Sequence, residues 1–349
     1  MPAYKKLLVT KIIEETSDCK TIQLQPLDSQ PLHYEAGQFL TFIFARETKE
    51  ERRSYSLSST PNLNEPLSIT VKKIPNGEFS RKIVDHLKPG DILHTIGASG
   101  FFTLPAHADA YQQIFFIAAG SGIVPVMSLL KTILHTNPKI RVTLIYSNSS
   151  VKTTIFYHSL KELEKKYPDQ LKIEWLMSSH HRLERARLGK WLLEILLKEY
   201  SITSFDKTLF YTCGPFDYMR MVTIKLLAEG VPAANIRKEN FTIFKTVIKA
   251  VPPDQSVHIV SIQSHDKTLQ FAVQYPDTIL QAAKKNGIDI PFSCESGRCG
   301  TCAATCISGK VWMSYNEVLL DEEIAKGRVL TCVGYPVEGD VELSLNDIL

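Results

Sequence analysis

Four cysteines near the C-terminus, Cys294, Cys299, Cys302 and Cys332, have the residue type and spacing for redox chemistry. The first three follow C-x4-C-x2-C, and 29 residues then separate Cys302 from Cys332, the plant-type [2Fe–2S] pattern. Three thiolates on one loop and a fourth from a distant element can hold two irons, each tetrahedrally. Ser296, Gly297 and Gly300 allow a tight backbone path whose N–H groups can point at the sulfides and offset the cluster's negative charge. A structural zinc site would call for a matching second pair of cysteines or histidines, and Cys332 has no such neighbour. Cys306 is an extra thiol and reads as a bystander. Disulfides would imply secretion, yet no long apolar stretch follows the basic Lys5-Lys6 start, so a cytoplasmic protein is expected. The chain reads as an electron carrier.

Two Gly-containing turns point to a nucleotide. Residues 114–125 read as a strand, a Gly120-Ser121-Gly122 turn and a helix start. Glycines let the backbone approach a pyrophosphate, and the helix N-terminus supplies N–H donors. The motif departs from G-x-G-x-x-G because Pro125 holds the last position. Cys213-Gly214-Pro215 ends a later strand, at the carboxyl edge where open α/β sheets bind ligands. Upstream, Arg53-Ser54-Tyr55-Ser56 suits a flavin: an arginine for phosphate, an aromatic ring for stacking, a hydroxyl for the ring edge. The same run also suits an ordinary half-exposed strand. Gly77, Phe79 and Ser80 open a short helix whose N-terminus could hold a second pyrophosphate.

The elements that must position these residues change period three times. Residues 7–97 alternate in short β-rich runs at 8–13, 21–24, 38–44, 55–58, 67–73 and 91–96, with a helix at 79–87, which predicts an antiparallel β-barrel. From 113 to 241, strands at 114–118, 140–146, 171–177 and 208–212 alternate with helices at 123–134, 156–166, 190–199 and 216–228. That alternation predicts an α/β doubly wound parallel sheet. A Pro252-Pro253 linker leads to a small α+β module, with strands at 257–262, 268–273 and 303–311 and a helix at 278–286. The domain limits are expected at 1–107, 108–245 and 257–349, with 246–256 as linker. Residues 256–349 hold 7 Lys and Arg against 12 Asp and Glu, while the remainder is basic. This acidic tail suits an electron-transfer module that meets basic surfaces, and no arginine-rich strip argues for nucleic acid. The most apolar stretch, 114–130, is broken by Gly120, Gly122 and Pro125 and does not read as a membrane span.

In this order, the R-x-Y-S, G-S-G-I-x-P, C-G-P and C-x4-C-x2-C motifs resemble the ferredoxin-NADP reductase superfamily across essentially the whole chain. The branch with a C-terminal plant-type ferredoxin holds reductase components of multicomponent oxygenases, phenylacetyl-CoA epoxidase and 3-ketosteroid 9α-hydroxylase reductases among them. The resemblance implies a β-grasp fold for the last module, with FAD, a [2Fe–2S] cluster and NADPH or NADH as cofactors. It implies that Arg53 binds FAD phosphates, that Ser54 and Tyr55 form the flavin platform with Tyr55 stacked, and that Ser56 stands near flavin N5. It implies that Lys72, Gly77, Phe79 and Ser80 line the FAD pyrophosphate. Gly120, Gly122 and Pro125 would shape the nicotinamide nucleotide site, with Cys213, Gly214 and Pro215 closing near the ring. Glu239 and Phe241 match the acidic-x-aromatic close of the nicotinamide domain. Ser56, Cys213 and Glu239 would then be the catalytic residues.

The implied activity is hydride uptake from NAD(P)H and single-electron delivery to a partner oxygenase or hydroxylase. Two alternatives stand beside it: a stand-alone reductase of a small quinone-type acceptor, and a carrier module without hydride chemistry. His180-His181 reads as a solvated loop rather than a metal pair. Ser179 and Arg182 lie where a 2′-phosphate is held in NADPH-using relatives, and Arg185, Arg187 and Lys190 add positive charge, which also suits a charged helix entrance; NADPH stands narrowly ahead of NADH.

Overall fold

The alternating runs of the N-terminal third fold as β1 (Lys5–Thr16), β2 (Cys19–Pro26), β3 (Phe39–Ala45), β4 (Glu50–Ser56), β5 (Ser68–Lys72) and β6 (Ile92–Ser99) in a computed structural model. The structure describes residues 4–28, 31–45, 50–179, 185–241, 250–264 and 267–345. These strands form one sheet in the order β4-β3-β6-β1-β2-β5. An antiparallel bridge between Leu57 and Ile69 links the end of β4 back to β5 and closes the barrel. Leu7, Ile22, Leu40, Phe42, Leu57 and Ile69 fill it, and α1 (Glu78–His86) adds Ile83 and Val84 to the same core. Each such side chain contributes about 1.5–3 kcal/mol when fully buried.

β4 begins five residues earlier than the alternation suggests, at Glu50. Its Glu50-Glu51-Arg52-Arg53 start lacks apolar alternation, but pairing with β3 fixes it, with Phe42 opposite Arg53 and Leu40 opposite Tyr55. Local hydropathy yields here to the ladder.

The second layer system contains β7 (Gln113–Ala119), α2 (Ile123–Thr136), β8 (Arg141–Asn148), α3 (Tyr157–Lys166), β9 (Leu171–Met177), α4 (Lys190–Tyr200), β10 (Thr208–Cys213), α5 (Phe216–Ala228) and β11 (Ile236–Glu239). All neighbouring strands are parallel, in the order β11-β10-β7-β8-β9. β7 reads as an unbroken apolar run because helices cover both faces of such a sheet. The chain moves outward from β7 to β9, then returns to place β10 on the other side of β7. The crevice between the ends of β7 and β10 is therefore the topological switch point. β11 is absent from the sequence expectation; its Ile236-Arg237-Lys238-Glu239 run is short and charged, and parallel pairing with β10 holds it.

The C-terminal module comprises β12 (His258–Ser264), β13 (Lys267–Val273), α6 (Ile279–Lys285), β14 (Ala303–Met313), α7 (Asp321–Ala325), β15 (Arg328–Leu330) and β16 (Gly334–Ser344). Its sheet runs β13-β12-β16-β14-β15, with β12 and β16 parallel. Thr278 caps α6 through a reciprocal box with Gln281. The fully buried members of this core all come from residues 260–345. The chain divides into two compact units, one holding residues 4–98 and 102–241, the other holding 99–101 together with 250–345. Among the described residues, no helix is long and apolar enough to cross a membrane.

Candidate functional site

At the switch point, Gly120 adopts φ +54°, a left-handed conformation that costs other residues about 1–2 kcal/mol. The turn it starts leads directly into α2, which no side chain caps. Pro125 lies in the first turn of α2, where its missing N–H breaks no helical bond. Gly122 has an ordinary helical φ, yet a Cβ there would lie 2.1 Å from the Cys213 carbonyl oxygen. The two nucleotide motifs therefore pack backbone against backbone. Gly214 is also tight, with its Cβ position 3.0 Å from that of Ala119. Pro215 ends the turn as the N-cap of α5. Two tyrosines missed by sequence reasoning brace the crevice: Tyr146 Oη donates to the Gly120 carbonyl at 3.0 Å, and Tyr218 Oη to that of Ala118 at 3.3 Å.

Cys213 pairs with Ala118 on one side and Glu239 on the other, at the carboxyl ends of β7, β10 and β11. Its thiol is fully buried, and burial, then the Glu239 charge, pushes it well above its ordinary range. Ser56, at the end of β4, donates from Oγ to Glu239 Oε2 at 3.4 Å. Glu239 keeps some exposed surface, but its carboxyl is desolvated and pushed up to about 8, with the Ser56 bond opposing the rise. Ser56, Cys213 and Glu239 thus come together. Phe241 is 42% exposed at the last described position of this unit.

Along β4, Tyr55 is half-buried with its ring 6.1 Å from that of Phe42, and Ser54 shares a 2.8 Å hydrogen bond with Thr41. Arg53 places its guanidinium 4.7 Å over the Phe79 ring and pairs with Glu51 at 2.7 Å. That puts a cation beside the first turn of α1, whose N-cap, Gly77, contributes no side-chain cap. A Cβ at Gly77 would lie 2.3 Å from Ile74 and 2.5 Å from Ser80 Oγ. Ser80 itself closes the turn, donating to the Gly77 carbonyl at 3.1 Å and accepting from Ile74 N–H at 3.3 Å. Lys72 lies 3.6 Å from Asp18. An uncapped helix end beside an arginine fits a pyrophosphate. The loop after β4 is fastened to α2: Ser128 Oγ donates to the Ser59 carbonyl at 2.6 Å, Thr60 and Thr132 hydroxyls meet at 2.6 Å, and Lys131 pairs with Glu65 at 2.5 Å. These bonds hold the barrel and the nucleotide sheet in one unit.

In the C-terminal module the four cysteines gather as two pairs. Cys299 Sγ donates to Thr301 Oγ1 at 3.4 Å and lies beside Cys294, whose thiol is lowered first by that neighbour and also by Ser296 and the Arg298 backbone N–H. Cys332 is raised first by its bond to Cys302, then by burial and the charges of the other three sulfurs. Among the described residues, no three Cys, His, Asp or Glu side chains converge on a single-ion position. Two thiols per position, side by side, fit a binuclear centre rather than one four-coordinate ion. Gly297 and Gly300 carry φ +72° and +76°, and Glu295, not Ser296, is the third left-handed residue of the loop. Cys306 donates to the Ser308 and Gly309 carbonyls, apart from the four.

Arg185 is committed elsewhere: it bridges Glu174 and Glu199, each at 3.0 Å. His180, His181 and Arg182 lie outside the described residues.

Comparison with known proteins matches residues 6–104 to an oxidoreductase FAD-binding domain, 116–223 to an oxidoreductase NAD-binding domain, and 262–337 to a 2Fe-2S iron-sulfur cluster binding domain. The chain is 31% identical to a component of the 1,2-phenylacetyl-CoA epoxidase of Escherichia coli, over 98% of this chain and 97% of that one. It is 32% identical to the ferredoxin reductase component of 3-ketosteroid-9-alpha-monooxygenase of Mycobacterium tuberculosis, over 98% and 96%. Among solved structures, phthalate dioxygenase reductase matches in fold with a TM-score of 0.60 at 22% identity, over 98% of each chain.

Proposed function

Because this chain belongs to the family of FAD- and [2Fe–2S]-containing oxygenase reductases, we propose that it takes a hydride from NAD(P)H and passes the electrons singly to a partner oxygenase. The observation that carries this reading is the Ser56–Glu239 contact at 3.4 Å, which brings the end of the flavin platform to the carboxyl edge of the nicotinamide sheet. Bound FAD supplies a two-electron acceptor that can give up electrons one at a time, matching a hydride donor to a one-electron cluster.

The chain's residues orient and tune. Arg53 would exchange Glu51 for FAD phosphate at the N-terminus of α1, with Ser80 fixing a turn so tight that only Gly fits at 77; Lys72 would add charge from the end of β5. Tyr55 would stack on the flavin, with Ser54 anchoring the strand beside it. Gly120, Gly122 and Pro125 would cradle the nicotinamide dinucleotide's pyrophosphate, and Cys213, Gly214 and Pro215 would line its nicotinamide end. With its carboxyl at about 8, Glu239 is mostly protonated at neutral pH and can hold a proton beside Ser56 Oγ. Phe241 would cover the flavin's other face. Cys294 with Cys299 would hold one iron, and Cys302 with Cys332 the other.

Domain limits at 1–107, 108–245 and 257–349 enclose the three matched segments. A cytoplasmic site belongs to this reading, since seven free thiols suit a reducing compartment that supplies NAD(P)H.

The test is an anaerobic titration with NADPH and then NADH, following the visible spectrum. Bleaching of both flavin and cluster bands is expected. Dithionite reduction without response to either nucleotide would overturn the reading and leave a carrier module. Rapid turnover with quinones but none with any oxygenase would favour the stand-alone reductase.

A further inference from the structure

Arg298 stands inside the ligand loop, between Cys294 and Cys299, and its side chain leaves that loop. Its Nε lies 2.8 Å from Glu317 Oε2, and the two side chains are only 10% and 18% exposed. The guanidinium also covers the Tyr315 ring at 5.5 Å. Backbone contacts hold the two segments flat together: Glu317 N–H donates to the Gly297 carbonyl at 3.0 Å, and a Cβ at Gly297 would lie 3.0 Å from the Tyr315 carbonyl oxygen. Meanwhile the Arg298 N–H donates to the Cys294 sulfur. One residue therefore touches a cluster thiolate with its backbone and a buried carboxylate with its side chain.

Charges this sheltered are weakly screened by salt, so removing either leaves an uncompensated partner packed against the ligand loop. We propose that Arg298 and Glu317 are positioning residues that set the reduction potential of the cluster by keeping the ligand loop electrically balanced. The inference rests on the cluster assignment above. Adding an electron makes the cluster more negative, so a lone guanidinium favours the reduced state and a lone carboxylate opposes it.

The experiment measures midpoint potentials by anaerobic spectroelectrochemistry on the holoprotein, with iron content as a separate readout. Glu317→Gln should raise the potential and Arg298→Gln should lower it. Each shift should correspond to roughly a tenfold change in the one-electron equilibrium, about 59 mV. Arg298→Lys, which keeps the charge, should stay near wild type, and the double variant should return toward it. Shifts of the same sign in both single variants, or none, would overturn the proposal. If a single variant loses its cluster, the double variant must regain iron, because it buries no unpaired charge; loss in all three would also overturn it. Wild-type protein lacking two irons per chain would instead defeat the cluster assignment itself.

Discussion

Gly122 faces the Cys213 carbonyl so closely that a single methyl group would stand 2.1 Å from its oxygen. The Gly-rich turn and the C-G-P turn are thus one surface built from two distant stretches. Gly122→Ala has no backbone strain to overcome at its helical φ, so its whole effect is to wedge β7 from β10. We expect flavin reduction by NAD(P)H to slow by about 100-fold, as a 1 Å displacement at a reacting site can do. FAD content should be unchanged. Stopped-flow flavin reduction and the bound-flavin spectrum check both halves.

Glu239 predicts a pH dependence whose sign follows from burial. Its carboxyl lies at about 8 in the folded chain against an ordinary 4.5, so the folded state binds the extra proton between those values. Its contribution to stability is greatest below 4.5 and is lost as pH rises toward 8. Glu239→Gln should flatten that part of a Tm-versus-pH curve and remove an inflection near 8 from the flavin-reduction rate.

The two-pair arrangement of thiols predicts which cysteines matter. Replacing Cys294, Cys299, Cys302 or Cys332 with Ser should abolish or strongly reduce the visible cluster bands and the iron content. Cys306→Ser should retain both, since its thiol is bonded to the Ser308 and Gly309 carbonyls instead. Iron analysis with absorption spectra of the five variants checks this.

The hydroxyl joinery between the barrel and α2 predicts a stability effect with no effect on cofactor load. Ser128→Ala leaves the Ser59 carbonyl without its 2.6 Å donor in a buried setting. A loss of about 1–3 kcal/mol is expected, read by urea unfolding of the holoprotein.

The chemistry-bearing motifs were legible because each is local: a cysteine spacing, a glycine turn, an arginine two residues from a tyrosine. The doubly wound order was legible for the same reason, since each strand and helix of residues 113–228 carries its own period. What escaped depends on distant partners. β16 begins with Gly334-Tyr335-Pro336 and includes Gly339, residues that interrupt strand alternation, and it is absent from the sequence expectation; pairing with β12 and β14 holds it. Tyr146 and Tyr218 look like core aromatics until their hydroxyls are seen on the carbonyls of the switch-point crevice. Arg185 reads as a free cation for a 2′-phosphate, but Glu174 and Glu199, one upstream and one downstream, already take it.

The buried members of the third core are all drawn from residues 260–345. A module whose buried core is drawn from its own stretch of chain, with Phe101 packed against it from upstream, can be inherited as a cassette. Recombination upstream of it would exchange one electron outlet for another, leaving the buried cores of the flavin and nucleotide layers as they were.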